Sequence, residues 1–363
     1  MAKKVLLTGF PGFLGSELVR RILRRPGETE IVCLVQAKFA ALATRRAEEI
    51  AVEEKVDLAR IALIEGDITE PGLGLSDPAR LAREVGEIFH LAAVYDLAVR
   101  RELAMKVNVD GTRNVLDFAE SAKRLERLQY VSTCYVSGRH VGIFRETDLV
   151  KGQEFQNFYE ETKYLAEIDV RERQEKGLPT TIYRPGIVVG DSRTGETQKY
   201  DGPYYILRWL LKQPTVAVLP VPAGADKLRV NLVPSDFVVG AIDALSKEKL
   251  SLGQCYQLAD PDPPTIQEAI RLMGESTGRY IVRVPVTVGL AKAAIDHVPG
   301  VYRLMGIPSN AIDYFAHPTF YDTSQADADL SALGIACPRL ADVLPVLVAF
   351  MKKHPEISSA AMV

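Results

Sequence analysis

The chain has 363 residues, 47% of them hydrophobic and 25% charged, with a formal net charge of -3. These values describe a folded globular protein and exclude extended disorder. The weakly acidic balance argues against nucleic-acid binding, which needs a basic field over the phosphates. Cys33, Cys134, Cys255 and Cys337 form no CxxC pair, and the five histidines lack ligand spacing, so neither a zinc site nor a disulfide framework is expected. The chain opens on strand-like Val5-Leu6-Leu7 without a signal-peptide pattern, and no run of about 18 apolar residues follows. A cytoplasmic protein without a transmembrane segment is expected; a peripheral membrane contact stays compatible with that.

In chain order, Val5 to Leu7 predicts a first strand and Ser16 to Leu23 a helix with its apolar positions on one face. Ile31 to Val35 is a second strand, 40–60 a charged helical stretch, Ile61 to Ile64 a third strand and Ile88 to Ala92 a fourth. Helix 101–122, strand Leu128 to Ser132, helix 158–176 and strand Thr181 to Tyr183 complete the regular half. Strands that alternate with helices imply parallel pairing through crossovers, hence an α/β doubly wound sheet. Strands that are apolar throughout suit a sheet covered on both faces. Beyond about residue 190 the rhythm loosens. Strands are expected near Val216 to Leu219 and Cys255 to Leu258, and helices over Ile266 to Met273 and Leu340 to Lys352. The predicted division is a dinucleotide-binding part, 1–190, and a substrate-binding part, 191–363, whose segment at about 230–260 returns to pack on the first.

The first strand runs into Thr8-Gly9-Phe10-Pro11-Gly12-Phe13-Leu14-Gly15 and then a helix. A turn this tight needs backbone angles that only glycine takes cheaply. The missing side chains let the backbone approach a pyrophosphate at the helix N-terminus. An NAD site commonly places an acid after the second strand to bond the ribose 2′-hydroxyl. Here Gln36-Ala37-Lys38 follows, with Arg45 and Arg46 nearby, so NADP is favoured over NAD.

Tyr159 and Lys163 are four residues apart on the long helix and share a face. An ammonium beside a phenol is expected to lower its pKa from about 10 and fit it for proton exchange at neutral pH. Such a phenol can protonate a carbonyl oxygen as hydride arrives. A hydroxyl from the end of the fifth strand, Ser132 or Thr133, can bond the same oxygen. Successive strand residues face opposite ways, so only one of the two can do so. Together these features point to hydride transfer coupled to proton transfer.

At this point the sequence resembles the short-chain dehydrogenase/reductases of the extended or atypical kind. The matching motifs are TGFPGFLG (Thr8 to Gly15), GDIT (Gly66 to Thr69), HLAA (His90 to Ala93), NVDGT from Asn108, STCYVSG (Ser132 to Gly138), YEETK (Tyr159 to Lys163) and YRPGIVVGDS (Tyr183 to Ser192). The resemblance implies a Rossmann-type fold in which Thr8, Gly9, Phe10, Gly12, Phe13, Leu14 and Gly15 cradle the pyrophosphate. It places Gln36, Lys38, Asp67 and Ile68 by the adenosine, and Leu91, Ala92, Ala93 and Asn108 along the cofactor. Pro185, Gly186, Ile187 and Val188 would touch the nicotinamide. Tyr159 would be the acid/base, Lys163 its partner and a ribose contact, and Thr133, counted back from Gly138, the third catalytic group. GDITEPGLGLS (Gly66 to Ser76) and RVNLVPSDFVVGAI (Arg229 to Ile242) resemble the fatty acyl-CoA reductase, or male-sterility, and thioester-reductase branch. That likeness implies NADPH-driven reduction of an acyl thioester or aldehyde. Gln36 stands where the branch usually carries an arginine. The chain lacks a carrier segment of its own, so a thioester would arrive as acyl-CoA or on a separate carrier. A homodimer is compatible with the likeness.

The expected substrate is small and apolar. Asp201 to Tyr205, Ile206 to Leu211, Val284 to Ala294 and Ala311 to Phe320, with Tyr314, Phe315 and Tyr321, are candidate walls of its channel, with ordinary core packing the alternative for each. His317 is a minor catalytic candidate. Two other functions compete: oxidation or isomerisation of a hydroxysteroid-like or nucleotide-sugar alcohol, which Arg193, Lys199, Lys227 and Arg229 keep open, and a non-catalytic NADP(H)-sensing module.

Overall fold

The computed structural model describes residues 3–95, 99–222, 224–298, 307–309 and 317–359. The first half runs β1 (Lys3–Thr8), α1 (Phe13–Leu23), β2 (Thr29–Val35), α2 (Ala40–Glu54), β3 (Ile61–Glu65), α3 (Pro78–Glu84), β4 (Val85–His90), α4 (Arg101–Ala104), α5 (Gly111–Ser121), β5 (Arg127–Val131), β6 (Gly142–Phe144), α6 (Phe158–Glu175), β7 (Thr180–Pro185) and β8 (Ile187–Val189). The second half runs α7 (Pro203–Lys212), β9 (Val216–Pro222), β10 (Leu232–Pro234), α8 (Ser235–Lys247), β11 (Cys255–Leu258), α9 (Ile266–Thr277), β12 (Tyr280–Val286), α10 (Val288–His297), β13 (Thr319–Tyr321), α11 (Ser324–Ala332) and α12 (Leu340–Lys353).

Seven strands form one parallel sheet in the order β3-β2-β1-β4-β5-β7-β11. This is the doubly wound Rossmann-type α/β fold. Alternation along β1 sends Val5 and Leu7 into one core and Leu6 into the other. The first core holds α1, α2 and α8, and the opposite one holds α3, α5 and α6. Both faces being covered explains why the inner strands are apolar runs rather than alternating ones. The chain order reverses at β1, which lies between β2 and β4, so the crevice beyond β1 and β4 is where such sheets bind ligands.

Several expected elements differ in detail. The helix expected over 40–60 stops at Glu54, because Lys55 turns left-handed at φ 55°. The helix expected over 101–122 is interrupted by a wider π-turn, Met105–Asp110, which carries Asn108. The fourth strand ends at His90, two residues earlier than expected, freeing Leu91 and Ala92 for the crevice.

After β7 the chain builds a second, smaller core from α7, β9, α9 and α12. Tyr204, Ile206, Leu207 and Leu210 of α7 are buried in it, which is core packing rather than channel lining. Val284–Ala294 does not enclose a channel either: Val284 and Leu290 are 42% and 62% exposed, on the outer side of the β9–β12 pair and on α10. The candidate wall Ala311 to Ala316, with Tyr314 and Phe315, lies outside the described residues. Between the two cores the chain crosses back: β10 pairs with β8, α8 packs on α1, and β11 extends the main sheet beside β7.

Candidate active site

The turn after β1 is built around glycine. Gly9 sits at φ 96°, and a Cβ there would meet the Ala92 backbone nitrogen at 3.0 Å. A Cβ on Gly12 or Gly15 would lie 2.8 or 2.5 Å from the Gly9 carbonyl oxygen. No L-residue fits any of the three places without moving backbone. The N-terminal turn of α1 carries neither a side-chain cap nor an acidic residue, which leaves its first N–H donors available to an anion. This cradle fits a dinucleotide pyrophosphate. Phe10 turns its ring into the core and can offer only backbone to such a group, whereas Phe13 and Leu14 are half-buried beside it.

Thr8 ties the crevice together. Its hydroxyl accepts from the Leu91 and Ala92 nitrogens, both at 3.2 Å, and donates to His90 Nδ1 at 2.8 Å. The direction follows from the far end: Thr112 donates to the Asn108 carbonyl at 2.6 Å and therefore accepts from His90 Nε2 at 3.1 Å. Burial drives the His90 pKa down to about 3, so the ring stays neutral, as this chain of bonds requires. Asn108 is fully committed: it accepts from the Val94 nitrogen at 2.8 Å and donates to the Val94 carbonyl and the Thr162 hydroxyl, each at 3.0 Å. It clamps the segment after β4 onto α6, with Ala93 inside the clamp.

Just after β2 and β3, Gln36 and Asp67 bond each other, Nε2 donating to the carboxylate at 2.8 Å, while the Thr69 nitrogen donates to the other carboxylate oxygen. Ile68 is buried, and its carbonyl accepts from Asn114. Lys38 is exposed, its ammonium 5.0 Å from the Phe39 ring centre.

The hydroxyl-bearing groups meet beyond β5. Ser132 donates to Glu167 at 2.6 Å and is thereby turned away from any substrate. Thr133 approaches the Tyr159 phenol instead, close enough to favour its phenolate, and donates to the Pro185 carbonyl at 3.5 Å. Lys163 donates to the Tyr130 hydroxyl at 3.1 Å and to the Val131 carbonyl at 2.8 Å. Burial dominates both titrations, pushing Tyr159 up to about 12 and Lys163 down to about 7. The lowered phenol expected from the spacing is therefore not what the geometry gives. Lys163 is turned toward the sheet, and desolvation outweighs the approach of Thr133 that favours the phenolate. Beyond β7, Gly186 packs against Asn231, with a Cβ there only 3.0 Å from the Asn231 carbonyl oxygen, and half-buried Ile187 and Val188 continue as β8.

Sequence reasoning missed Tyr130, the hydroxyl that receives Lys163, and the pair Glu167–Arg184, both fully buried, with Nη2 to Oε1 at 2.6 Å. Glu167 carried a signal: it continues the four-residue spacing of Tyr159 and Lys163. His317 is buried beside Tyr135, ring centres 4.9 Å apart, and burial lowers its pKa to about 4. Among the described residues no group of His, Cys, Asp and Glu could hold a metal, and no helix is long and apolar enough to cross a membrane.

A parallel sheet that ends in a glycine cradle beside a Tyr–Lys pair defines an NAD(P)-dependent oxidoreductase of short-chain dehydrogenase/reductase type. Residues 7–242 match the family model described as male sterility protein, and the chain belongs to that NAD-binding family. It is 29% identical over 290 residues to a non-canonical nonribosomal peptide synthetase, cpsA, of Aspergillus campestris, covering 73% of this chain and 26% of that one. It is 28% identical over 281 residues to the fatty acyl-CoA reductase wat of Drosophila melanogaster, covering 66% of this chain and 53% of that one. The chain thus spans between a quarter and about half of these relatives. Among solved structures it resembles the terminal R domain of the myxalamid PKS-NRPS biosynthetic pathway, with a TM-score of 0.83, 27% identity, and 98% of this chain and 91% of that one covered.

Proposed function

We propose that the protein reduces an acyl thioester, presented as acyl-CoA or on a carrier, to the aldehyde with NADPH. The observation that carries the reading is the approach of Thr133, just beyond β5, to Tyr159 of α6, with the phenol held protonated by burial. A protonated phenol at neutral pH is a donor, which suits the reductive direction. The likeness to the R domain and to the fatty acyl-CoA reductase supports a thioester substrate. NADPH, when bound, would supply the hydride for the acyl carbon. Tyr159 gives its proton to the carbonyl oxygen, which Thr133 orients by hydrogen bonding. Collapse of the resulting hemithioacetal breaks the C–S bond and passes that proton to the departing thiolate, and solvent reprotonates Tyr159. Lys163, anchored on Tyr130 and Val131, would hold the cofactor ribose.

The preference for NADPH is supported by the absence of an acid after β2 and by the mutual capping of Gln36 and Asp67, which leaves exposed Lys38 as the group at that end. In this reading residues 1–190 bind cofactor and 191–363 mainly substrate. A cytoplasmic site of action agrees with four free thiols. The test is NADPH oxidation with long-chain acyl-CoA and with a carrier-bound acyl thioester, product aldehyde being identified directly. Turnover on sugar nucleotides or hydroxysteroids with none on either thioester overturns the proposal.

A further inference from the structure

The end of β5 is stitched to three successive turns of α6. Thr133 engages Tyr159, the Val131 carbonyl accepts from Lys163, and Ser132 donates to Glu167. Tyr159, Lys163 and Glu167 stand at four-residue intervals and so share the face of α6 turned to the sheet. Glu167 is completely buried and receives hydrogen bonds from three elements: Ser132 at 2.6 Å, Arg184 Nη2 at 2.6 Å and Arg171 Nε at 3.0 Å. Arg184 in turn donates to the Asp148 carbonyl at 2.7 Å, and its own carbonyl accepts from the Cys134 thiol at 3.0 Å. Arg184 immediately precedes Pro185, whose carbonyl faces Thr133. One carboxylate therefore joins the ends of β5 and β7 to the helix that carries Tyr159 and Lys163.

We infer that Glu167 is a positioning residue for this site: its buried carboxylate fixes the end of β5 and supplies the negative charge, one helical turn away, that favours the ammonium form of Lys163. The inference rests on Tyr159 and Lys163 serving as proposed above. The titratable groups around Lys163 are Tyr130 and His90 from the sheet and Tyr159 and Glu167 from its own helix. Burial keeps His90 neutral and raises Tyr130 and Tyr159, so neither ring hydroxyl is charged at neutral pH. The carboxyl of Glu167 stays ionised near pH 2 and above, its burial outweighed by Arg184 and Arg171, which are spent on it. For Lys163, burial acts to strip the proton and Glu167 acts to retain it. A plain interior salt bridge would hold the fold without touching that balance.

The direct test is a titration of Lys163 in cofactor-free protein carrying 13C at the lysine Cε, the resonance being identified by its loss in Lys163→Arg. In Glu167→Gln the Lys163 midpoint should fall by about one unit, a tenfold change in the charged fraction at pH above it. The high-pH limb of thioester turnover should move down by the same amount, so that activity at pH 8 suffers about fivefold more than at pH 6. Glu167→Asp, which restores the charge, should return the midpoint, and Ser132→Ala, which removes only a hydrogen bond, should lower turnover equally at both pH values. If Glu167→Gln fails to fold because Arg184 is left unpaired, the Lys163 midpoint in the double variant Glu167→Gln/Arg184→Gln is read against that in Arg184→Gln, so that the difference isolates the carboxylate. A folded variant whose Lys163 midpoint stays where it was overturns the inference. A moved midpoint supports it even if no thioester is turned over, in which case only the proposed substrate fails.

Discussion

The two hydrophobic bodies of this chain are built on different terms. The main sheet buries polar and charged groups under its functional edge: His90, Asn108, Ser132, Thr133, Lys163, Glu167 and Arg184 are each at most 5% exposed. The smaller core of α7, β9, α9 and α12 is filled by Leu207, Leu210, Leu219, Met273, Leu344 and Leu347, and apolar packing dominates its stability. Burying polar groups costs free energy unless every one is bonded, so the sheet edge is the place where packing has been subordinated to a site. The difference also says where a substitution should change chemistry and where it should change only stability.

The strongest way to break that division is Tyr159→Phe, which keeps the ring and removes the proton. Turnover should fall by about 10²- to 10⁴-fold while NADPH affinity, measured by fluorescence titration, is unchanged. Equal loss of binding and turnover would mean that the phenol holds the cofactor rather than acting on the substrate. The counterpart in the second core is Leu207→Ala, at a fully buried position. It should cost about 2–5 kcal/mol of stability in denaturant unfolding, because the cavity cannot collapse in a packed core. NADPH affinity should survive below the melting transition, since the cradle belongs to the other body. A loss of cofactor binding in the folded variant would erase the distinction between the two bodies.

The same difference governs how much of the protein can be foreseen. Strands covered on both faces advertise themselves as apolar runs, and the GxxGxxG turn is legible because steric demands at Gly9, Gly12 and Gly15 admit no other residue. Tyr159 and Lys163 are legible because helical spacing puts them on one face. The Glu167–Arg184 pair is not, because its partners are 17 residues apart on a helix and a strand and nothing local records their meeting. The three-residue strands β6, β8, β10 and β13 leave too little pattern to see. Lys55 ends α2 without a glycine or proline to signal it. In the second body, Val284 and Leu290 look like the buried residues of α7 in composition, yet they lie on the surface. Apolar character alone does not say which side of a strand faces inward when both neighbours are apolar.

Within the cradle, Gly15→Ala places a methyl 2.5 Å from the Gly9 carbonyl oxygen, closer than contact permits. The turn must shift, and NADPH affinity should weaken by about tenfold or more, the equivalent of at least 1.4 kcal/mol. Turnover at saturating cofactor should change less than the affinity does. An alanine that binds NADPH as tightly as glycine would show that the close approach of the two turn segments has no bearing on the cofactor.

The smallest expected effect lies at the exposed end of the same crevice. Lys38 has no carboxylate partner among the ion pairs of the described residues, and its ammonium rests 5.0 Å from the Phe39 ring centre. It follows β2 by three positions, where a 2′-phosphate of the adenosine would reach. An exposed charge pair is worth about 0.2–1 kcal/mol, so Lys38→Ala should raise the KM for NADPH by up to about fivefold. The KM for NADH, which lacks that phosphate, should not move. The difference should also shrink as salt is added, because screening acts within about 10 Å at 0.1 M ionic strength. A parallel change for both cofactors would assign Lys38 to the packing of the loop, and leave the selection of cofactor to the Gln36–Asp67 pair behind it.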